Sequence, residues 1–205
     1  MSSGLLFYWF SWILWIIVTF FMSKTKLRTL LACWLLILIL CSNIYIAVND
    51  FQLAVSYLVL CAGAVILHTK IAGMIFHVFG SFTIMIGYAG IFIFDTFTPL
   101  KLFFPSFLII SCILFMLITL ITTGLWNRLA CVLLGMAGGE LLYNIVVSSY
   151  FATDVIGDKR FFDFILVVTV AIICQDFLLT LKQKLTQKLH KKNTNSKPLF
   201  RKQAQ

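Results

Sequence analysis

Seven apolar runs follow one another along the chain, at residues 4–22, 29–48, 51–67, 71–94, 102–123, 129–151 and 161–181. A helix that crosses a bilayer takes about 20 apolar residues, with a range of roughly 17–25. Polar residues close each run. Lys24, Lys26 and Arg28 end the first, Asn49 and Asp50 the second, His68 and Lys70 the third, and Asp95 the fourth. Pro99 and Lys101 then mark a turn, and Pro105 falls in the first turn of the fifth run, where a missing N–H costs nothing. Asn127 and Arg128 close that run. Stretches such as residues 34–40 show no alternation of apolar and polar positions, which argues against a transmembrane β-barrel. The pattern predicts an all-α polytopic bundle of about seven spans.

Composition makes the bilayer the solvent. Of the 205 residues, 61% are hydrophobic and 11% charged, with a mean hydropathy of +1.04. Soluble domains run at about 45–50% apolar and about 25% charged. There is too little polar surface here to cover a fold of this size in water. The first basic residue, Lys24, follows the first apolar run instead of preceding it, so that run is expected to stay as a span and not act as a cleaved signal.

The net charge of +9 describes topology once its residues are located. With seven spans, one side collects Lys24, Lys26, Arg28, Lys70, Arg128 and the eight basic residues after Leu181. The other side holds only Lys101, Lys159 and Arg160, together with Asp50, Asp95, Asp154 and Asp158. Basic residues gather in the cytoplasm, so the N-terminus is expected outside and the C-terminus inside a plasma membrane. Two regions follow: a helical transmembrane domain at 1–181 and a basic cytoplasmic tail at 182–205. In the tail Leu181, Leu185 and Leu189 recur among Lys182, Lys184, Lys188, Lys191 and Lys192. That pattern predicts an amphipathic extension of the last helix lying on anionic headgroups, disordered after Asn193. A nucleic-acid partner is not expected.

Candidate chemistry is sparse. Ionisable groups inside spans are costly and become functional candidates by default. Glu140 lies eleven residues into the sixth run, about 16 Å deep at 1.5 Å per residue and so near the midplane. Glu140, Asn144 and Ser148 share one helical face at i, i+4 and i+8. Gly135 and Gly139 just before them form a small-xxx-small pair suited to close helix packing. No Lys or Arg lies at that depth in another span, so Glu140 is expected as a neutral acid donating a hydrogen bond. Ser81, Thr83 and Ser111 are its depth-matched partners. The alternatives are a structural hydrogen bond between helices and a proton or cation site. A second pair, His77 and Asp176, enters from the cytoplasmic side and is close enough in depth to pair, with Arg128 also within snorkelling reach of Asp176.

The remaining residues add constraints more than chemistry. Cys33, Cys41, Cys61, Cys112, Cys131 and Cys174 all lie inside apolar runs with no C-x-x-C spacing, so neither a disulfide framework nor a zinc site is expected. Tyr8, Trp9 and Trp12 suit an outer interface belt. There is no G-x-S-x-G, no H-E-x-x-H and no P-loop, and the loops are too short to build a water-facing active site. No enzyme activity, metal or cofactor is expected, and an intramembrane enzyme using Glu140 or His77 has no motif behind it.

The opening segment, from Gly4 through the aromatic cluster Phe7, Tyr8, Trp9, Phe10, Trp12 and Trp15 to Met22, resembles the start of the YphA-type membrane proteins of Bacillus and relatives. The resemblance implies a small bacterial plasma-membrane protein of a family without an assigned activity, and it carries over no site residue. The leading expectation is a small multi-span protein that acts through helix packing with a membrane partner or lipid. The alternative is a proton-coupled or small-solute transporter built on Glu140.

Overall fold

The structure is a computed structural model, and it describes residues 4–48, 51–71, 73–97, 106–150 and 155–196. Among these are α1 (Leu5–Phe21), α2 (Lys26–Leu40), α3 (Val55–Thr69), α4 (Met74–Phe97), α5 (Ser106–Ile121), α6 (Leu125–Ser148) and α7 (Lys159–Ser196). The helical bundle expected from the pattern is therefore present. Four stretches are long and apolar enough to cross a membrane: Lys26–Asn43, Ile75–Phe97, Leu125–Ser148 and Lys159–Gln187. Leu5–Phe21, Val55–Thr69 and Phe107–Ile121 are shorter apolar helices. Pro99, Lys101, Pro105, Asp50, Asp154 and residues 197–205 lie outside the described residues.

The second and third runs depart from the helical expectation at their facing ends. α2 stops at Leu40, a single 3-10 turn covers Cys41–Asn43, and the chain continues as β1 (Tyr45–Val48). β2 (Phe51–Ala54) returns antiparallel, with Tyr45 opposite Ala54 and Val48 opposite Phe51. The physical reason is local. Tyr45, Ile46, Val48 and Phe51 are β-branched or aromatic, and they flank a two-residue Asn-Asp connection of hairpin length. A two-residue strand, β3 (Val155–Ile156), joins β2 in parallel and completes a small sheet of order β1-β2-β3. A sheet with an open edge is not tolerated in lipid-exposed hydrocarbon, so this one belongs at the end of the bundle.

α6 is the central helix. In its apolar window 61% of residues are buried, against 17–33% for the other three long stretches. It packs against α3, α4 and α7 and most extensively along α4, while α1 sits against α2 and α7. The reason is in its composition: small residues on several faces allow neighbours to approach from several directions. The other helices turn large apolar side chains outward, including Phe20, Ile75, Phe76, Phe79 and Leu120. That inside-out distribution is what a hydrocarbon surround requires.

Candidate functional site

Glycine decides how closely α4 and α6 approach. A Cβ on Gly135 would lie 2.7 Å from Ile84 Cβ and 2.8 Å from the Ser81 carbonyl oxygen. One on Gly139 would lie 2.7 Å from the Tyr88 ring and 3.0 Å from the Met85 carbonyl. Any side chain at either position would force α4 and α6 apart. Gly138 meets only the Met85 side chain, whose sulfur end can move aside. The seam is therefore tight, with Ile84, Tyr88, Met136 and Ala137 sealed inside it.

At one end of the seam sits Glu140, 6% exposed. The Tyr88 hydroxyl donates to its Oε2 at 2.7 Å. Asn144 Nδ2 donates to its Oε1 at 3.2 Å and to its backbone carbonyl at 2.8 Å. Each carboxyl oxygen thus has its own partner, one on α4 and one on α6. The expected partners lie elsewhere. Ser81 donates to the His77 carbonyl and contacts His68, Thr83 is exposed and donates to the Phe79 carbonyl, and the buried Ser111 hydroxyl has no partner among the described residues. Ser148 shares the face of Glu140 but donates to the Ile145 carbonyl, outside the cluster.

Measured along α6, Glu140 is about 12 Å from the Ser148 end and about 22 Å from the Leu125 end. It lies about 5 Å from the middle of the helix, displaced toward the sheet end. The turn at Gly157 and Asp158 comes close enough to act on the carboxyl electrostatically. Gly157 holds a positive φ of 75°, and a Cβ there would stand 2.5 Å from Tyr57 Cβ. Tyr57 in turn donates to the Ala137 carbonyl at 2.7 Å, and its ring meets Phe161 edge-on. The turn beside Glu140 is thus one that only glycine fits.

The second candidate pair does not form. Among the described residues no hydrogen bond joins His77 to Asp176. His77 Nδ1 faces the Cys131 thiol at 3.9 Å, and Arg128 reaches Gln175 Oε1 at 2.8 Å instead of Asp176. α6 lies along both α4 and α7, and its Cys131 and Arg128 make the contacts to His77 and Gln175. Among the described residues no group of three or more His, Cys, Asp or Glu is placed to hold a metal ion.

Three buried polar groups escaped notice in the sequence. Asp163, 7% exposed, accepts the Gly4 amide on Oδ2 at 2.9 Å and the Phe7 amide on Oδ1 at 2.7 Å. It caps α1 from α7. The only signal was an acid two residues into an otherwise apolar run. Tyr88 lies inside the fourth apolar run, where a phenol needs a partner. His68 read as a run terminator, yet it is 2% exposed and packs its Nε2 3.2 Å from Ser81 Oγ.

Comparison with known proteins sharpens the context. A family model described as YphA-like integral membrane protein matches residues 3–198. The uncharacterized protein YphA of Bacillus subtilis (strain 168) is 23% identical over 156 residues, which cover 74% of this chain and 76% of that protein. No solved structure matches.

Proposed function

Since the chain belongs to the family of YphA-like integral membrane proteins, we propose that it crosses a bacterial plasma membrane seven times and works through contacts of its helix surfaces with another membrane component. The positions of Lys and Arg support an outer N-terminus and an inner C-terminus. α1, α3 and α5, at 17, 15 and 16 residues, are short for a full crossing. Local thinning of the bilayer and snorkelling of flanking residues make up the difference.

One observation carries the choice between helix packing and transport. Glu140 has both carboxyl oxygens engaged by protein donors at the end of a glycine-packed seam between two helices. A carrier needs its binding carboxyl to meet water in turn from each side. A carboxyl that joins α4 to α6 serves best as an internal clasp, leaving the outward faces for recognition.

Replacing Glu140 separates the two readings. Glu140→Gln keeps the acceptor for Tyr88 but cannot titrate, and Glu140→Leu removes both. As a clasp, the Gln variant accumulates in the membrane like the parent protein and the Leu variant is depleted. A pH-dependent flux in proteoliposomes that disappears in Glu140→Gln would overturn the clasp and establish a carrier.

A further inference from the structure

We propose that the cytoplasmic part of α7 is a docking arm for the anionic phospholipid headgroups of the inner leaflet. α7 runs unbroken from Lys159 to Ser196, and neither glycine nor proline occurs between Gly157 and Pro198. Asp163 fixes where the helix sits in the bundle. It holds the start of α1 at the level of the first turn of α7, so the 17 residues of α1 end level with about Thr180. The remaining helix extends about 24 Å beyond that level at 1.5 Å per residue.

Charge complementarity names the occupant. The arm carries Lys182, Lys184, Lys188, Lys191 and Lys192, and no acidic residue follows Asp176 anywhere in the chain. Lys182 and Lys184 are exposed, and between and beside them Leu181 and Leu185 are 40% and 61% exposed. Leucines beside lysines at the point where a helix leaves the hydrocarbon match an interface: stems and leucines sink into the headgroup layer while ammonium groups stay among phosphates. Each lysine near such a surface contributes roughly fivefold in affinity. Having no hinge, the arm meets the leaflet by tilting with the whole of α7, and transmembrane helices commonly tilt by about 20° and as much as 40°. A free helix of this length is marginal in water, so seating it has a measurable signature.

The test uses the full-length protein in lipid nanodiscs, one set of phosphatidylcholine alone and one of phosphatidylcholine mixed with phosphatidylglycerol. Both disc faces are open, so the result does not depend on the orientation proposed above, and it is independent of the role of Glu140. Backbone amides from Gln183 to Asn193 should exchange with deuterium at least about tenfold more slowly in the anionic discs, an effect that raised salt reverses. Changing the five lysines to glutamine should remove the protection, while changing them to arginine should keep it. Equal exchange in the two lipids would overturn the proposal. So would protection that appears in the neutral discs only when polyuridylate or polyglutamate is added, which would assign the arm to RNA or to an acidic protein.

Discussion

The carboxylate of Asp163, near the start of the last helix, accepts the backbone amide of Phe7 at 2.7 Å, near the start of the first. A second bond to the Gly4 amide makes Asp163 the N-terminal cap of a helix more than 150 residues away. Caps normally come from the residue just before the helix. Here Gly4 occupies that position and offers no side chain, so α7 supplies the acceptor. Asp163→Ala should lower stability by about 1.5–3 kcal/mol, as expected when amides lose a buried charged acceptor. The loss should appear as a reduced thermal midpoint in mild detergent, with Asp163→Asn intermediate. An unchanged midpoint would mean that the α1 end is held by packing alone.

The α4–α6 seam should be intolerant at two glycines and indifferent at a third. Gly135→Ala and Gly139→Ala each place a methyl within 3 Å of a neighbour, an overpacking cost of about 1–3 kcal/mol. Gly90→Ala on α4 meets no atom within 4 Å and should be neutral or slightly stabilising, since alanine is the better helix former by about 1 kcal/mol. Yield of monodisperse protein after detergent extraction, compared across the three variants, checks the contrast.

Tyr88 and Glu140 should be energetically coupled. Tyr88→Phe takes away one donor from a buried carboxyl, and Glu140→Leu strands a buried phenol, each costing about 1–3 kcal/mol. The double variant removes both halves and should cost less than the sum of the two. A double-mutant cycle on thermal or denaturant stability measures the difference. Strict additivity would show that the 2.7 Å contact contributes nothing.

Gly157 should control access to Glu140. Gly157→Val must adopt a positive φ and push its Cβ into Tyr57, so the turn above the carboxyl has to lift. Labelling of Glu140 by a hydrophobic carbodiimide, read by mass spectrometry, should be slow in the parent protein and several-fold faster in this variant. Equal rates would mean that the turn is no barrier.

The helical class and the membrane-length apolar stretches were legible in the chain because they depend on quantities summed over many residues. Twenty apolar positions outweigh any local detail. Gly135 and Gly139 were legible as well, since a helix places i and i+4 on one face without outside help. The hairpin at Tyr45–Ala54 was hidden because its apolar residues extended two runs already long enough to be helices. Partner identity was beyond the chain altogether. Depth along a span pointed from Glu140 to Ser81, Thr83 and Ser111, but rotation about each helix axis turned Tyr88 toward the carboxyl and those hydroxyls elsewhere. Asp163 and Gly4 stand at opposite ends of the sequence, and only the packing of α1 on α7 brings a carboxylate to the unpaired amides. Hydrophobicity decides which segments enter the membrane. Which polar groups meet there depends on helix rotation and register, set by side-chain packing between segments.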